Sequence, residues 1–232
     1  MKIAIMQPYF LPYIGYFQLI NAVDKFIVLD DVCFINKGWI NRNRILIKER
    51  PYLFTVPLNE ASQNRLIKDI EIFDDGKWRK KLIRSIELNY TRAPFFNEAF
   101  PLVKKIILQN NKSISNFILK SILAINSFLE IKTSIVGSSS IYNNHHFKGE
   151  DRILDICKKE KASEYVNLIG GLDLYSKVKF NKEKIKIHFL RSKSIYYKQF
   201  LNDFIPSLSI IDVMMFNIKE DIKKMLKLYD LE

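Results

Sequence analysis

The chain has 232 residues, of which 48% are hydrophobic and 27% charged, with seven Gly and seven Pro; that balance can bury a substantial core and excludes a disordered or fibrous chain. No apolar run reaches the ~20 residues that span a bilayer. Met1–Met6 meets Gln7 and Pro8 before a signal-peptide core is complete, and the distant Cys33 and Cys157 offer neither a metal cluster nor a disulfide framework, so a cytoplasmic protein is expected. The net charge of +12 points to phosphate-bearing partners, although lysines spread over helix faces account for much of it.

Ile3–Met6 is a short apolar run with Ile at two of its four positions, which predicts a strand buried on both faces. Pro8 and Pro12 forbid a ladder beyond it. From Pro12 onward, Tyr13, Tyr16, Phe17, Ile20 and Val23 recur at helical spacing, and Pro12 suits the first turn. Phe26–Leu29 reads as a second buried strand, ending at Asp30-Asp31. The unit has the length of a right-handed βαβ crossover. It brings the loop Gln7–Leu11 and the acidic pair together at strand carboxyl ends, beside a helix N-terminus that favours anions. Gly15 inside that helix costs ~1 kcal/mol relative to Ala. Either close approach of a ligand or tight packing accounts for it.

Arg44–Lys48 and Tyr52–Leu58 predict an antiparallel hairpin with its turn over Glu49-Arg50-Pro51. Around its start, Lys37, Trp39, Asn41, Arg42, Asn43 and Arg44 combine cations, amides and a flat ring. Arg42 and Lys37 suit phosphate, and Trp39 offers a stacking face. A basic hairpin anchored by a core Trp would have the same composition. Leu66–Ile72 reads as a strand. Trp78–Tyr90, Phe95–Gln109 and a helix capped by Ser113 and running through Phe128 carry apolar stripes suited to packing.

Lys132–Val136 predicts a returning strand, followed by the small polar loop Gly137–Ser140, whose serines suit either a turn or a bond to a ligand phosphate or carboxylate, the turn being favoured. His145-His146 lacks acidic or Cys partners at metal spacing, so no metal site is expected. A helix over Ile153–Lys161 and a strand over Ser163–Asn167 lead to Gly170-Gly171, either an anion cradle or an ordinary turn. A helix over Leu172–Val178, a strand over Ile185–Leu190 and a terminal amphipathic helix over Ile218–Tyr229 complete the chain. Pro206, Ser209 and Asp212 read as a docking turn or a capping-box variant. The expected fold is one α/β domain, 1–232. It has a mainly parallel nucleotide-binding-type sheet, an inserted β-hairpin and a helical insertion near 76–130.

Gln7, Pro8, Tyr9, Phe10, Pro12, Tyr13, Gly15, Tyr16 and Phe17, then Asp24, Asp30-Asp31-Val32 and the block from Lys37 to Asn43, resemble the opening signature of the WbqC-like family. Those proteins are encoded in bacterial surface-polysaccharide gene clusters. Gly170-Gly171 with Tyr175, then Phe204 to Asp212 and Asn217, extend the resemblance over nearly the whole chain. Cys33 departs from the Gln expected there, which removes an amide contact. A more distant likeness links the strand, the loop and the helix start Pro12–Tyr16 to nucleotidylyltransferases and pantothenate-synthetase-type ligases. In those families a His-x-Gly-His element holds phosphates. Tyr13 and Tyr16 take both His positions here and carry no positive charge near neutrality.

The resemblance implies an enzyme of O-antigen or capsule biosynthesis acting on a nucleotide-linked amino sugar. It would transfer an amino acid such as glycine, or another acyl group, to the sugar amine, consuming ATP with Mg²⁺ if an adenylate forms. It implies Asp31 as general base or Mg²⁺ ligand, and Lys37 with Arg42 as neutralisers of phosphate charge. Around the substrate it places Gln7, Pro8, Tyr9, Tyr13, Gly15, Tyr16, Asp30, Trp39, Asn41, Asn43, Gly170, Gly171, Ser209 and Asp212. The competing expectation is a non-catalytic nucleotide-sugar-binding or scaffold protein, favoured by the lack of a catalytic His, Cys or metal cluster. No helix-turn-helix or aromatic-basic RNA motif is present, so nucleic acid is not expected as a partner.

Overall fold

The structure, a computed structural model, describes residues 1–200 and 203–232. The chain opens with β1 (Lys2–Met6), α1 (Ile14–Asn21) and β2 (Lys25–Val28). Next come a hairpin, β3 (Arg42–Ile47) and β4 (Arg50–Thr55), and two short paired strands, β5 (Leu58–Asn59) and β6 (Glu71–Ile72). Three helices follow, α2 (Lys77–Tyr90), α3 (Phe96–Leu108) and α4 (Ile114–Leu129). The chain returns to the main sheet through β7 (Ser134–Val136), α5 (Gly149–Lys159), β8 (Glu164–Leu168), α6 (Lys177–Lys182) and β9 (Lys186–Ser192). It ends with α7 (Ile210–Phe216), α8 (Lys219–Met225) and β10 (Tyr229–Leu231).

The main sheet has six strands in the order β7-β2-β1-β8-β9-β10. The first five run parallel, and β10 pairs antiparallel with β9 at the edge. Alternate residues of each strand enter opposite cores. Ile3, Ile5, Ile27, Tyr165, Ile187 and Phe189 face α5 and α6, packing with Ile153, Ile156 and Phe180. Ala4, Phe26, Val28, Val166 and Leu190 face α1 and join the larger core of α2, α3, α4 and the hairpin. A one-residue slip of β1 would trade Ile3 and Ile5 for Ala4 on the α5 side. Each buried Ile contributes roughly 1.5–3 kcal/mol, so the register is strongly set. The fold is therefore an α/β protein with a mainly parallel sheet, a separate antiparallel hairpin and helices on both faces. The strand order reverses between β1 and β8, which is the switch point of such sheets. Among the described residues no helix is long and apolar enough to cross a membrane.

Several expected elements differ in detail. Pro12 lies outside α1, in extended chain before the N-cap Tyr13, where its carbonyl accepts the Ile210 N–H at 2.8 Å. The hairpin turn is Lys48-Glu49, both at positive φ (49° and 59°), as a tight two-residue turn requires. Arg50 and Pro51 belong to β4, an edge strand where the missing proline N–H can face solvent. Residues 66–72 form a 3₁₀ turn, Ile67–Asp69, and the two-residue β6 in place of one strand. The helix expected over Leu172–Val178 is split into a 3₁₀ segment, Ile169–Leu174, and α6. The terminal helix stops at Met225, and the chain then adds β10 to the sheet edge.

Candidate functional site

The carboxyl ends of β2 and β7 meet in a polar cluster around the acidic pair. Asp30 is buried and accepts from Ser115 Oγ at 2.7 Å, Ser138 Oγ at 2.6 Å and the Ser139 N–H at 3.2 Å. It thus ties β2 to α4 and to the turn after β7. Asp31 accepts from Ser139 Oγ and lies against Arg152 of α5, with Oδ1 2.5 Å from Nη2. Arg152 also donates Nη1 to the Asp31 carbonyl at 3.0 Å and Nε to Asn144 Oδ1 at 3.1 Å. Asp31 and Arg152 form a buried ion pair. Among the described residues no three His, Cys, Asp or Glu side chains converge as metal ligands would.

The loop after β1 is clamped from several sides. Tyr16 donates its hydroxyl to the Gln7 carbonyl at 2.9 Å, and the Phe10 N–H bonds the Ile40 carbonyl at 3.0 Å. Leu11 sits in the left-handed region (φ 45°), a conformation that costs a residue with a Cβ about 1–2 kcal/mol. Its carbonyl is fixed by Asn43 Nδ2 at 2.8 Å and Ser209 Oγ at 2.7 Å, two side chains from distant parts of the chain. Such cross-bracing is what holds a strained backbone in place. Ser209 also caps α7, accepting from the Ile211 N–H.

Two adjoining chambers open beside this loop. The smaller, about 270 Å³, is lined by Tyr9, Pro12, Tyr13, Trp39, Asn43, Arg44 and Ser207. The larger, about 440 Å³, runs between the start of α1 and the segment after β9, including Ser192, Tyr196, Tyr197, Phe204 and Leu208. Tyr13 and Ser207 belong to both walls. Tyr13 is the N-cap of α1 and supplies no side-chain cap, so the N-terminus it leaves open favours a negative group. Burial pushes the Tyr9 and Tyr13 hydroxyls above their usual value of 10.0, so both stay protonated and able to donate. Arg42 and Arg44 stack on Trp39, 5.7 and 5.6 Å from the ring centroid. Trp39 is 41% exposed, so it faces the chamber and does not anchor a core.

Gly15 is explained by packing at this cleft. A Cβ there would fall 2.3 Å from the Tyr13 ring and 2.9 Å from Ser192 Oγ. Gly15→Ala is expected to push Tyr13 out of its position and to destabilise the fold by about 1–2 kcal/mol, overpacking outweighing the gain in helix propensity. The double variant Gly15→Ala, Tyr13→Ala should recover most of that loss. Urea unfolding checks it, and a Gly15→Ala protein as stable as the parent would refute the packing account.

Of the residues expected around the substrate, Tyr9, Tyr13, Trp39 and Asn43 line the smaller chamber. Asn43, Ser209, Tyr16 and Gly15 shape the loop and the helix start. Pro8 is buried in that loop, and Gln7 is half-buried at the end of β1. Asn41 braces the hairpin, donating Nδ2 to the Val56 carbonyl at 2.8 Å. Arg42 holds the preceding turn, donating Nε to the Gly38 carbonyl at 2.8 Å and Nη2 to that of Lys37. Lys37 itself is exposed. Gly170 and Gly171 lie within the 3₁₀ segment and line neither chamber; a Cβ on Gly171 would meet Asn167 Nδ2 at 2.8 Å. Asp30, Asp31 and Asp212 also lie outside the two linings. Asp212 is buried behind Tyr197, which donates to it at 2.7 Å. Sequence reasoning gave Arg44 no site role and missed Ser192, Tyr196 and Tyr197. Arg44 reads there as the first residue of a strand, and the others follow a strand with no motif to mark them.

An open, mainly parallel sheet wound on both faces, with a cleft beside the first helix start, defines an α/β protein of the doubly wound class. The WbqC-like protein family matches residues 7–224, and the chain belongs to that family. The chain is also similar to an uncharacterized protein, Rv1507c, of Mycobacterium tuberculosis (strain ATCC 25618 / H37Rv), with 30% identity over 220 residues, 94% of each chain. No solved structure matches the chain.

Proposed function

We propose that the protein works in bacterial surface-polysaccharide biosynthesis, binding a nucleotide-linked amino sugar in the two-chamber cleft and acylating its amine with an amino acid such as glycine or another acyl group. Membership of the WbqC-like family supports the pathway. The single observation that carries the binding is the smaller chamber, where Tyr9, Tyr13 and Trp39 offer ring faces beside Arg44. In the reaction the amine nitrogen attacks the acyl carbonyl, the leaving group departs with its electron pair, and a base takes the amine proton. Asp31 is the proposed base; it lines neither chamber, so it must turn out of its pair with Arg152 and reach the cleft to accept that proton. Lys37, exposed at the rim of the hairpin, is the proposed neutraliser of phosphate charge.

A second reading, binding without turnover, is favoured by a specific observation. Among the described residues no Asp, Glu, His or Cys lines either chamber. Mass spectrometry separates the two. The mixture contains protein, ATP with Mg²⁺, glycine and a panel of dTDP- or UDP-linked 3-amino and 4-amino sugars, with parallel arms using acetyl-CoA and no donor. A mass gain on one sugar supports acylation, and its dependence on ATP decides whether an adenylate forms. Activity unchanged in Asp31→Asn removes that residue as the base. Nucleotide-sugar binding with no mass gain across the panel favours the second reading.

A further inference from the structure

We propose that the smaller chamber is an oxyanion subsite in which Arg44 makes the direct contact. The proposal deepens the nucleotide-sugar reading of the cleft and rests on it for the identity of the natural ligand. Among the described residues neither Arg42 nor Arg44 has an ion-pair partner, yet both guanidinium groups share one indole ring. Two like charges held on one ring repel each other, and nothing in the lining offsets them, because among the described residues Arg44 is its only charged one. The two arginines differ in what they have left to give. Arg42 spends Nε and Nη2 on the carbonyls of Gly38 and Lys37, so it shapes the turn that carries Trp39. Arg44 spends only Nη2, on the Ser207 carbonyl at 3.2 Å. Its Nε is buried from solvent and has no hydrogen-bond partner. Among the described residues Nη1 makes no hydrogen bond, so Nη1 and the second hydrogen of Nη2 are the donors left for a ligand, and a guanidinium with donors unfilled is costly.

The remaining polar groups of the lining point to the same chemistry. Neither the Tyr9 nor the Tyr13 hydroxyl meets a hydrogen-bond partner among the described residues, and both remain protonated. Asn43 has committed its amide to the Phe10 and Leu11 carbonyls and its oxygen to the Arg44 N–H. Among the described residues the chamber therefore presents a guanidinium and the hydroxyl-bearing Tyr9, Tyr13 and Ser207 with no acid beside them. That set matches a group made of acceptors, a phosphoryl or carboxylate oxyanion, which a guanidinium grips with two parallel bonds. A diphosphate linker and an acidic sugar are the two sources of such a group.

Isothermal titration of the full chain, at two salt concentrations, tests the assignment. The probes are UDP, inorganic pyrophosphate, glucuronate and uridine. The variants are Arg44→Gln, Arg44→Lys and Arg42→Gln, each checked for parental melting behaviour. Arg44→Gln is expected to weaken the tightest oxyanion by about tenfold or more and to flatten its salt dependence. Arg44→Lys should recover part of the affinity, and uridine binding should not change. UDP and pyrophosphate responding together marks the diphosphate as the source, whereas glucuronate alone responding marks the acidic sugar. The assignment is overturned if the parent binds none of the three oxyanions. It is also overturned if a folded Arg44→Gln binds them as the parent does, or if only Arg42→Gln weakens them. The function and the subsite fail separately: oxyanion affinity lost in Arg44→Gln without any acylation by the parent leaves the subsite standing. Acylation with an unchanged KM for the sugar in Arg44→Gln leaves only the function.

Discussion

Arg152→Met is expected to cost on the order of 3–5 kcal/mol, a large part of the roughly 5–15 kcal/mol that holds a domain folded. The substitution keeps most of the aliphatic volume and removes the one cation paired with Asp31 among the described residues. Three bonds leave with it: the ion pair to Asp31 Oδ1, the bond to the Asp31 carbonyl and the bond to Asn144 Oδ1. Asp31 would remain buried with Ser139 Oγ as its one side-chain partner among the described residues, a charge without compensation. The double variant Arg152→Met, Asp31→Asn should recover a substantial share, because it removes the stranded charge together with its partner. Urea unfolding of the four proteins measures this directly. A loss below about 1 kcal/mol for Arg152→Met, the range of a surface pair, would show that the pair carries no weight in the fold.

Asp212→Ala should cost on the order of 3 kcal/mol, since each buried donor left unsatisfied is worth about 1–3 kcal/mol and the three are not additive. Tyr90 donates to Asp212 Oδ2 at 2.8 Å while accepting the Leu46 N–H at 2.8 Å, which joins α2, β3 and α7 through one hydroxyl. Tyr197 and Gln199 each donate to Oδ1 at 2.7 Å, and Gln199 also exchanges two bonds with the Ile205 backbone. Asp212 therefore fastens the segment after β9 that walls the larger chamber. Its loss is expected to loosen the cleft as well as the core, read as faster proteolysis between 193 and 208. Parental proteolysis and stability would sink the assignment.

Asp212 also sets a pH dependence. Burial raises its carboxyl above the usual 3.8, outweighing the pull of the hydrogen bonds from Tyr197, Tyr90 and Gln199. The folded state thus holds this proton more tightly than the unfolded one. The contribution is fully present below pH 3.8 and is lost as pH rises through the folded value. The stability advantage of the parent over Asp212→Asn should accordingly shrink as pH rises above 3.8. An advantage that grows over that range would contradict the raised value.

The same residues show how far local pattern reaches. Strands β1, β2, β8 and β9, helices α2 to α5 and the Ser113 cap follow from apolar spacing and capping, which act between residues close in sequence. Tyr9 and Tyr13 belong to the first strand–helix turn and Trp39 and Asn43 to the hairpin segment, and the family resemblance alone had set all four around a substrate; in the structure they share the lining of one cavity. The pairing of Asp31 with Arg152 spans 121 positions, and the Ser209 bond to Leu11 spans 198. No spacing rule relates such residues. Gly170-Gly171 is compatible with a cradle or a turn, and only the 3₁₀ path of the backbone selects packing against Asn167. For β10, three residues cannot announce a strand unless the free edge of β9 waits for them.

By itself the sequence determined the α/β class, the family and the chain's main helices and strands, because propensity, periodicity and a contiguous motif are local properties. Only the tertiary structure decided which motif residues line a cleft and which hold the loop. That division depends on where distant chain segments place their donors and acceptors, and on which of those groups the fold leaves unpaired.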